Sequence, residues 1–431
     1  MSARLVGGGF AAVLILASCG ENNPLAPNAT PSVGTDKGKA SAAPAPPGMV
    51  KTGIDQIELD NGGILRGRKV GLLMHAASVT ADGRRTVDAL RAKGVDVVRL
   101  FSPEHGLAST AAAGENVASG KDAATKLPVI SLYGEQTGPS PEDLAGLDVF
   151  VFDLQDAGVR FYTYLAALMV TMDAAAAAGI DYVVLDRPNP LGGERVEGPM
   201  SDARDVIPES LVNMTPGPLV YGLTAGEMAR LVNATRAKPA KLTVVPLRGW
   251  KRTMTWSDTG RAWIPPSPNL RTPDAAIAYP GTALLEGTNV SEGRGTDAPF
   301  LLIGAPWLKP ELLVPVLKVP GFSVEPTTFT PAASPAAPTP KYAGKASPGL
   351  RIKVGDAGGA KPYQLGVTLL HVLRTQPGFE WLRDGEAIDH LVGTKKLRAA
   401  LDRGDTVEAI VAADADAIAA FRKDRLKALL Y

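Results

Sequence analysis

The chain has 431 residues, 45 Lys+Arg against 44 Asp+Glu for a net charge of +1, and 45% hydrophobic residues. So even a balance excludes a basic stripe for nucleic acid, while the apolar content is ample for a buried core. A single cysteine excludes an intrachain disulfide and cysteine-ligated zinc.

At the N-terminus, Arg4 is the only charge before an apolar stretch from about Phe10 to Leu16, which is followed by Leu16-Ala17-Ser18-Cys19. The run is far shorter than the ~20 residues of a membrane-spanning helix and reads as a signal peptide. The small residues before Cys19 resemble a bacterial lipobox. The expectation is a signal peptide over 1–19, lipidation at Cys19, and an exported bacterial lipoprotein. It would be membrane-anchored through that lipid only and face the periplasm or the cell surface. Residues 20–50, rich in Pro, Ala, Ser, Asn and Gly, read as a disordered linker.

From there the pattern alternates. Apolar runs at 69–74 (KVGLLM), 95–101, 127–133, 148–154, 181–186 and 241–247 predict strands. The segments 83–94, 164–179 and 224–235 predict helices, the first two closed by glycine and the third capped by Thr224 with Glu227 in the capping-box position. Strands alternating with helices predict an α/β fold, a mostly parallel sheet with helices on both faces, over 51–300. Beyond 300, the proline-dense stretch 326–340, a β-like piece at 350–356 and helices at 364–376, 386–393, 395–404 and 412–430 predict a smaller α+β domain over 301–431.

In such sheets ligands sit outside the carboxyl ends of the strands. His75, the 102–106 segment, Tyr133-Gly134, the 153–160 segment and 186–189 all follow predicted strands, which points to a site on that rim. Nucleophile-elbow, HExxH, P-loop and dinucleotide-binding motifs are absent, which argues against a nicotinamide dehydrogenase. The remaining chemistry rests on carboxylates, a few histidines, arginines and tyrosines. Glu104, after an apolar strand and Pro103 and beside His105, suits a general acid in an apolar setting. The stretch 152–164 holds Asp153, Gln155, Asp156, Arg160, Tyr162 and Tyr164, where Arg160 can pair with a carboxylate; 185–199 adds Asp186, Arg187 and Asn189. A third cluster carries Asn269, Glu286, Asn289, Glu292 and Arg294 among glycines that let backbone N–H groups approach a ligand. His75, His105, Asp153 and Asp186 also form an alternative metal-ligand set, with spacings that are not diagnostic.

The ordered motifs LFSPEHG, VFDLQDAGVRFYTY, VLDRPNPLGG…VEGP, PSPN, YPGT, EGTNVSEGRGTDAPF and GAPW resemble the DUF1343 family across about residues 52–431. Characterised members of that family are exo-β-N-acetylmuramidases of the NamZ type. The resemblance implies a glycoside hydrolase that releases terminal N-acetylmuramic acid from the non-reducing ends of peptidoglycan fragments. Its substrates would be muropeptides or MurNAc-terminated disaccharides, with no cofactor and the site in a cleft between a Rossmann-like domain and a smaller one. On that reading Glu104 is the general acid, and His105, Asp153 and Asp186 tune it or place water. Arg160, Arg187 or Arg294 pairs with the lactyl carboxylate. His75, Gln155, Tyr162, Tyr164, Asn189, Asn269, Glu286, Asn289 and Glu292 complete the substrate-binding set. The chain departs from the family at Met74-His75, Val220-Tyr221 and Leu270-Arg271, where altered ligand-lining side chains would shift substrate preference. A non-catalytic muropeptide-binding lipoprotein and a metal-dependent cell-wall hydrolase are the alternatives.

Overall fold

Strands β1 (Lys69–Met74), β2 (Asp96–Ser102), β3 (Gly120–Lys121), β4 (Pro128–Ser131), β5 (Val149–Asp153) and β6 (Asp181–Leu185) enter one sheet, and β9 (Lys241–Val245) completes it. β7 (Glu197–Met200) and β8 (Pro218–Val220) form a separate antiparallel ribbon. The seven strands lie in the order β3-β4-β2-β1-β5-β6-β9 and are parallel except for the short edge pair β3–β4. This computed structural model describes residues 48–202 and 211–431. The expected signal peptide, Cys19 and the linker up to residue 47 lie outside them.

Alternation explains why these runs are strands buried on both sides. Val70 and Leu72 of β1 and Val149 and Val151 of β5 join a core with Ile54, Ile57, Val87 and Leu90 from the helices Gly53–Leu59 and Thr86–Ala92. Their neighbours Leu73, Phe150 and Phe152 face the other way, onto Leu165, Leu168 and Met172 of the helix Tyr164–Ala178. Successive side chains thus fill two cores on opposite faces, which is why each strand reads as continuous apolar sequence.

The smaller sheet is antiparallel, in the order β10 (Leu302–Gly304), β12 (Ser347–Val354) and β11 (Phe322–Phe329). β11 extends into the proline-dense segment; Pro326 is tolerated there because β11 is an edge strand paired only to β12. Helices Pro362–Leu373, Glu386–Val392, Lys396–Arg403, Val407–Ala412 and Ala415–Asp424 complete this part. The segment 265–300 contains a helix, Pro273–Thr282, capped by the Thr272 hydroxyl accepting from Ala275 N and started by Pro273. Two expectations need correction. The single terminal helix expected over 412–430 is a shorter helix, Ala415–Asp424, followed by a 3-10 turn, Arg425–Ala428. Arg425 there is buried and donates to the carbonyls of Gly193, Tyr221 and Gly222, which draws the chain away from the helix axis. Val50, placed in the linker, is buried with Leu247 and Trp250.

Candidate active site

The strand order reverses between β1 and β5, so the crevice outside their carboxyl ends is where this architecture holds ligands. Directly beside it, β2 ends at Ser102, and Pro103 leads into a sharp turn. His105 and Gly106 both adopt the left-handed conformation, at φ 68° and 73°. For a histidine that backbone is strained. It is held by Nδ1 of His105 bonding the Ala111 carbonyl at 2.8 Å, and by Thr110 N and Ala111 N donating to the His105 carbonyl. Burial pushes the His105 imidazole below its ordinary range, against an opposing pull from Glu104, and nearby Arg294 pushes it further down. His105 is therefore a neutral imidazole at pH 7, with its Nδ1 proton on a carbonyl.

The turn presents the half-buried Glu104 carboxyl group. Gly114 N donates to its Oε1 at 3.0 Å, and the Thr163 hydroxyl donates to its Oε2 at 2.6 Å. Tyr133 lies close by; burial and the Glu104 charge push its phenol above its usual range.

From the far end of the chain, the turn Ala283–Gly287 and the loop after it bring Glu286, Glu292 and Arg294 to this edge. Arg294 Nη2 donates to Glu286 Oε1 at 2.8 Å, and Nε lies 3.4 Å from Glu292. Among the described residues its Nη1 has no hydrogen-bond partner. Its guanidinium sits 5.1 Å from the Phe300 ring centroid. Glu292 is tied to Lys341, which also donates to the carbonyls of Leu285 and Val290. Lys341 and Arg294 together hold the Glu292 carboxyl below its usual range despite burial. A run of edge-to-face rings, His75–Tyr164–Tyr162–Tyr279–Phe300, joins the strand rim to this loop. The Tyr279 phenol is pushed up by burial and by the charges of Glu286 and Glu104, so these groups share one neighbourhood. Glu104, His105, Tyr162, Tyr164, Glu286, Glu292 and Arg294 are thus brought together.

Other expected site residues are spent on structure. Arg187 grips Asp153 with both Nε and Nη2, at 2.6 and 2.9 Å, and Thr86 donates to the same carboxylate; Asp153 is fully buried. Asp186, also fully buried, accepts from the Thr224 and Tyr431 hydroxyls and Gly226 N. Among the described residues Arg160 pairs with no carboxylate: it donates to Asn213 Oδ1 and to the carbonyls of Pro199, Gly217 and Val392, and burial pushes it down to about 10. Each of its guanidinium nitrogens has an acceptor, and the side chain is fully buried. His75 is a buried wedge whose Nε2 accepts from Gln155 N while Nδ1 bonds Ser109 Oγ. Gln155, Asn189 and Asn269 use their amides on the carbonyls of Pro188, Leu223 and Ala336. Asn289 clamps the 378–380 backbone. Nor do His75, His105, Asp153 and Asp186 form a ligand set; among the described residues no group of three or more His, Cys, Asp or Glu does.

Of the departures, His75 and Tyr221 are sealed in the interior and do not line a ligand surface. Tyr221 is fully buried and donates to Asp156, while Arg271 is exposed and donates to the Pro268 carbonyl. Asp156 itself has one oxygen, Oδ1, without a hydrogen-bond partner, and burial raises its carboxyl to about 6.

Thr163, Tyr279 and Lys341 were not singled out as site residues from sequence. Thr163 and Tyr279 lie inside the RFYTY and YPGT motifs, which were a usable signal. Lys341 had none, since it lies 49 positions from Glu292 in a proline-dense stretch.

Comparison with known proteins covers nearly the whole described body. Residues 70–274 match the family model described as exo-beta-N-acetylmuramidase NamZ, N-terminal, and 277–431 the corresponding C-terminal model. The chain is 38% identical over 388 residues to the peptidoglycan beta-N-acetylmuramidase NamZ of Bacillus subtilis (strain 168), covering 89% of this chain and 91% of that one. Two crystal structures of DUF1343 family proteins from Bacteroides fragilis are similar. One has TM-score 0.78 and 31% identity over 90% of this chain and all of its own. The other has TM-score 0.72 and 29% identity over 89% of this chain and 99% of its own.

Proposed function

This chain belongs to the NamZ family of exo-β-N-acetylmuramidases, and from that premise we propose that it is an exo-acting glycosidase of cell-wall turnover. It releases N-acetylmuramic acid from the non-reducing ends of peptidoglycan fragments. The observation that carries the reading is the meeting of Glu104 and His105, at the end of β2, with Arg294 from the 286–300 loop.

Glu104 is the general acid. It protonates the glycosidic oxygen as the bond from the anomeric carbon breaks; that oxygen keeps the bonding electron pair, and a water completes the hydrolysis by bonding the anomeric carbon and giving up the proton that restores the acid. His105 fixes the backbone on which Glu104 stands. Arg294, through its unpartnered Nη1, receives the lactyl carboxylate that distinguishes a muramoyl residue from a glucosaminyl one. Arg160 and Arg187, being saturated, leave this task to Arg294. Tyr279 forms the apolar wall beside the sugar, backed by the buried rings of Tyr162 and Tyr164.

Release of N-acetylmuramic acid by the full chain from a MurNAc-terminated disaccharide, whose sugar leaving group needs the proton, tests this reading. Wild-type turnover and its loss in folded Glu104→Gln are expected. Binding without release in the wild type would instead identify a non-catalytic binding protein, and normal turnover in Glu104→Gln would remove Glu104 from the role. Lipidation at Cys19 and the membrane-anchored, exported location are likewise proposed, supported by Leu16-Ala17-Ser18-Cys19. Incorporation of labelled fatty acid into the wild type but not Cys19→Ala tests that part.

A further inference from the structure

Thr163 stands at the N-cap of the 15-residue helix Tyr164–Ala178, yet makes no side-chain cap hydrogen bond. A threonine at that position ordinarily turns its oxygen onto the backbone N–H groups of the first turn, which stabilises the helix. Thr272, Thr224 and Thr406 do this at the starts of other helices in the same chain. The Thr163 hydroxyl instead crosses to another element and donates to Glu104 Oε2 at 2.6 Å. The next residue follows it, for the Tyr164 hydroxyl lies 3.4 Å from the Glu104 carbonyl and 2.7 Å from that of Pro266.

Gly114 N supplies a second donor, so Glu104 is gripped from two separate segments, after β2 and after β5. Thr163 has a helical backbone (φ −73°, ψ −5°) where Thr272, Thr224 and Thr406 are extended, so its hydroxyl is out of capping geometry and points at the group assigned to the chemistry.

We propose that Thr163 is a positioning residue for Glu104, its hydroxyl fixing the orientation of the carboxyl group over the strand rim. This rests on the assignment of Glu104 above. An oriented hydrogen bond to an ionisable group is worth about 10- to 100-fold in rate when its loss is felt in the transition state.

The test measures kcat, KM and melting temperature of Thr163→Val and Thr163→Ser on a MurNAc-terminated disaccharide, beside Glu104→Gln. Thr163→Val is expected to lower kcat about 10- to 100-fold with KM nearly unchanged. Its melting temperature stays near wild type, since no cap bond is lost. Thr163→Ser restores the rate. Wild-type kcat in Thr163→Val overturns the proposal, as does a loss that tracks unfolding or that serine fails to restore. If Glu104→Gln is inactive while Thr163→Val behaves as wild type, only this inference falls. If Glu104→Gln turns over normally, the assignment of Glu104 falls and takes this inference with it.

Discussion

Arg160 and Arg294 show how the same residue type divides between structure and chemistry. Both are arginines among conspicuous polar neighbours, and their local sequence does not separate them. Arg160 is fully buried and meets carbonyls from both sides of the β7–β8 ribbon and from Val392, more than 200 positions away. Arg294 keeps one nitrogen unpartnered beside Glu104. Removing Arg160 strands buried acceptors, so Arg160→Met is expected to cost at least ~3 kcal/mol of stability while leaving KM of the folded enzyme unchanged. Arg294→Met is expected to raise KM for the muramide about 10-fold or more and to change hydrolysis of the matching β-N-acetylglucosaminide far less. Urea unfolding and steady-state kinetics on the two substrates check the pair; a specificity change in Arg160→Met would reverse the assignment. The signal for Glu104 was legible because strand, proline, carboxylate and glycine are consecutive. The partners of Arg160 were not, because a buried cation is recognised by carbonyls that any sequence supplies.

At the scale of elements, the polar strand ends brace the rim more than they form the site. Asp186, at the end of β6, receives the N-terminus of the helix Ala225–Asn233 through Thr224 Oγ1 and Gly226 N, at 2.7 and 2.8 Å. A Cβ on Gly226 would lie 2.8 Å from the Asp186 carboxyl carbon and 2.4 Å from Val244, so only glycine permits this approach. Burial raises Asp186 and Asp156 to about 6, against hydrogen bonds that pull each of them down. The consequence for stability has a definite sign. Both groups are protonated in both states below about pH 4; between about 4 and 6 the unfolded chain loses its protons first. Stability contributed by protonated Asp156 and Asp186 therefore falls as pH rises through this window, then levels off above about 6. The effect is on the order of 2–3 kcal/mol per group. Unfolding measured from pH 4 to 7 should show that slope, and Asp156→Asn should remove the share belonging to Asp156; an unchanged slope would show Asp156 to be solvated. Strand-end position was visible in the sequence. Whether an end faces a ligand or a helix was not, since both call for the same polar residues.

Across the whole molecule, the last residues return to the first sheet. The Tyr431 hydroxyl donates to Asp186 and accepts from Leu247 N, Leu430 N donates to Glu227, and Arg230 holds the carbonyls of Ala428 and Leu429. Tyr431 also packs edge-on against Trp250 at 5.1 Å. Deleting Leu429–Tyr431 takes the Tyr431 hydroxyl from Asp186 and one donor from Glu227, which keeps Arg252 and Thr224 N, and is expected to lower the melting temperature by a few degrees, about 1 °C per kcal/mol lost at this chain length. Calorimetry checks it, and an unchanged melting temperature would show the strap to be idle. The sequence by itself determined the parallel sheet, most helices and the position of Glu104, because periodicity, caps and strand-breaking residues act over neighbouring positions. Only the tertiary structure decided which charged groups are sealed into ion pairs and carbonyl cages and which stand open. Those partners lie tens to hundreds of residues apart, and burial, not residue type, determines whether a charge is a brace or a tool.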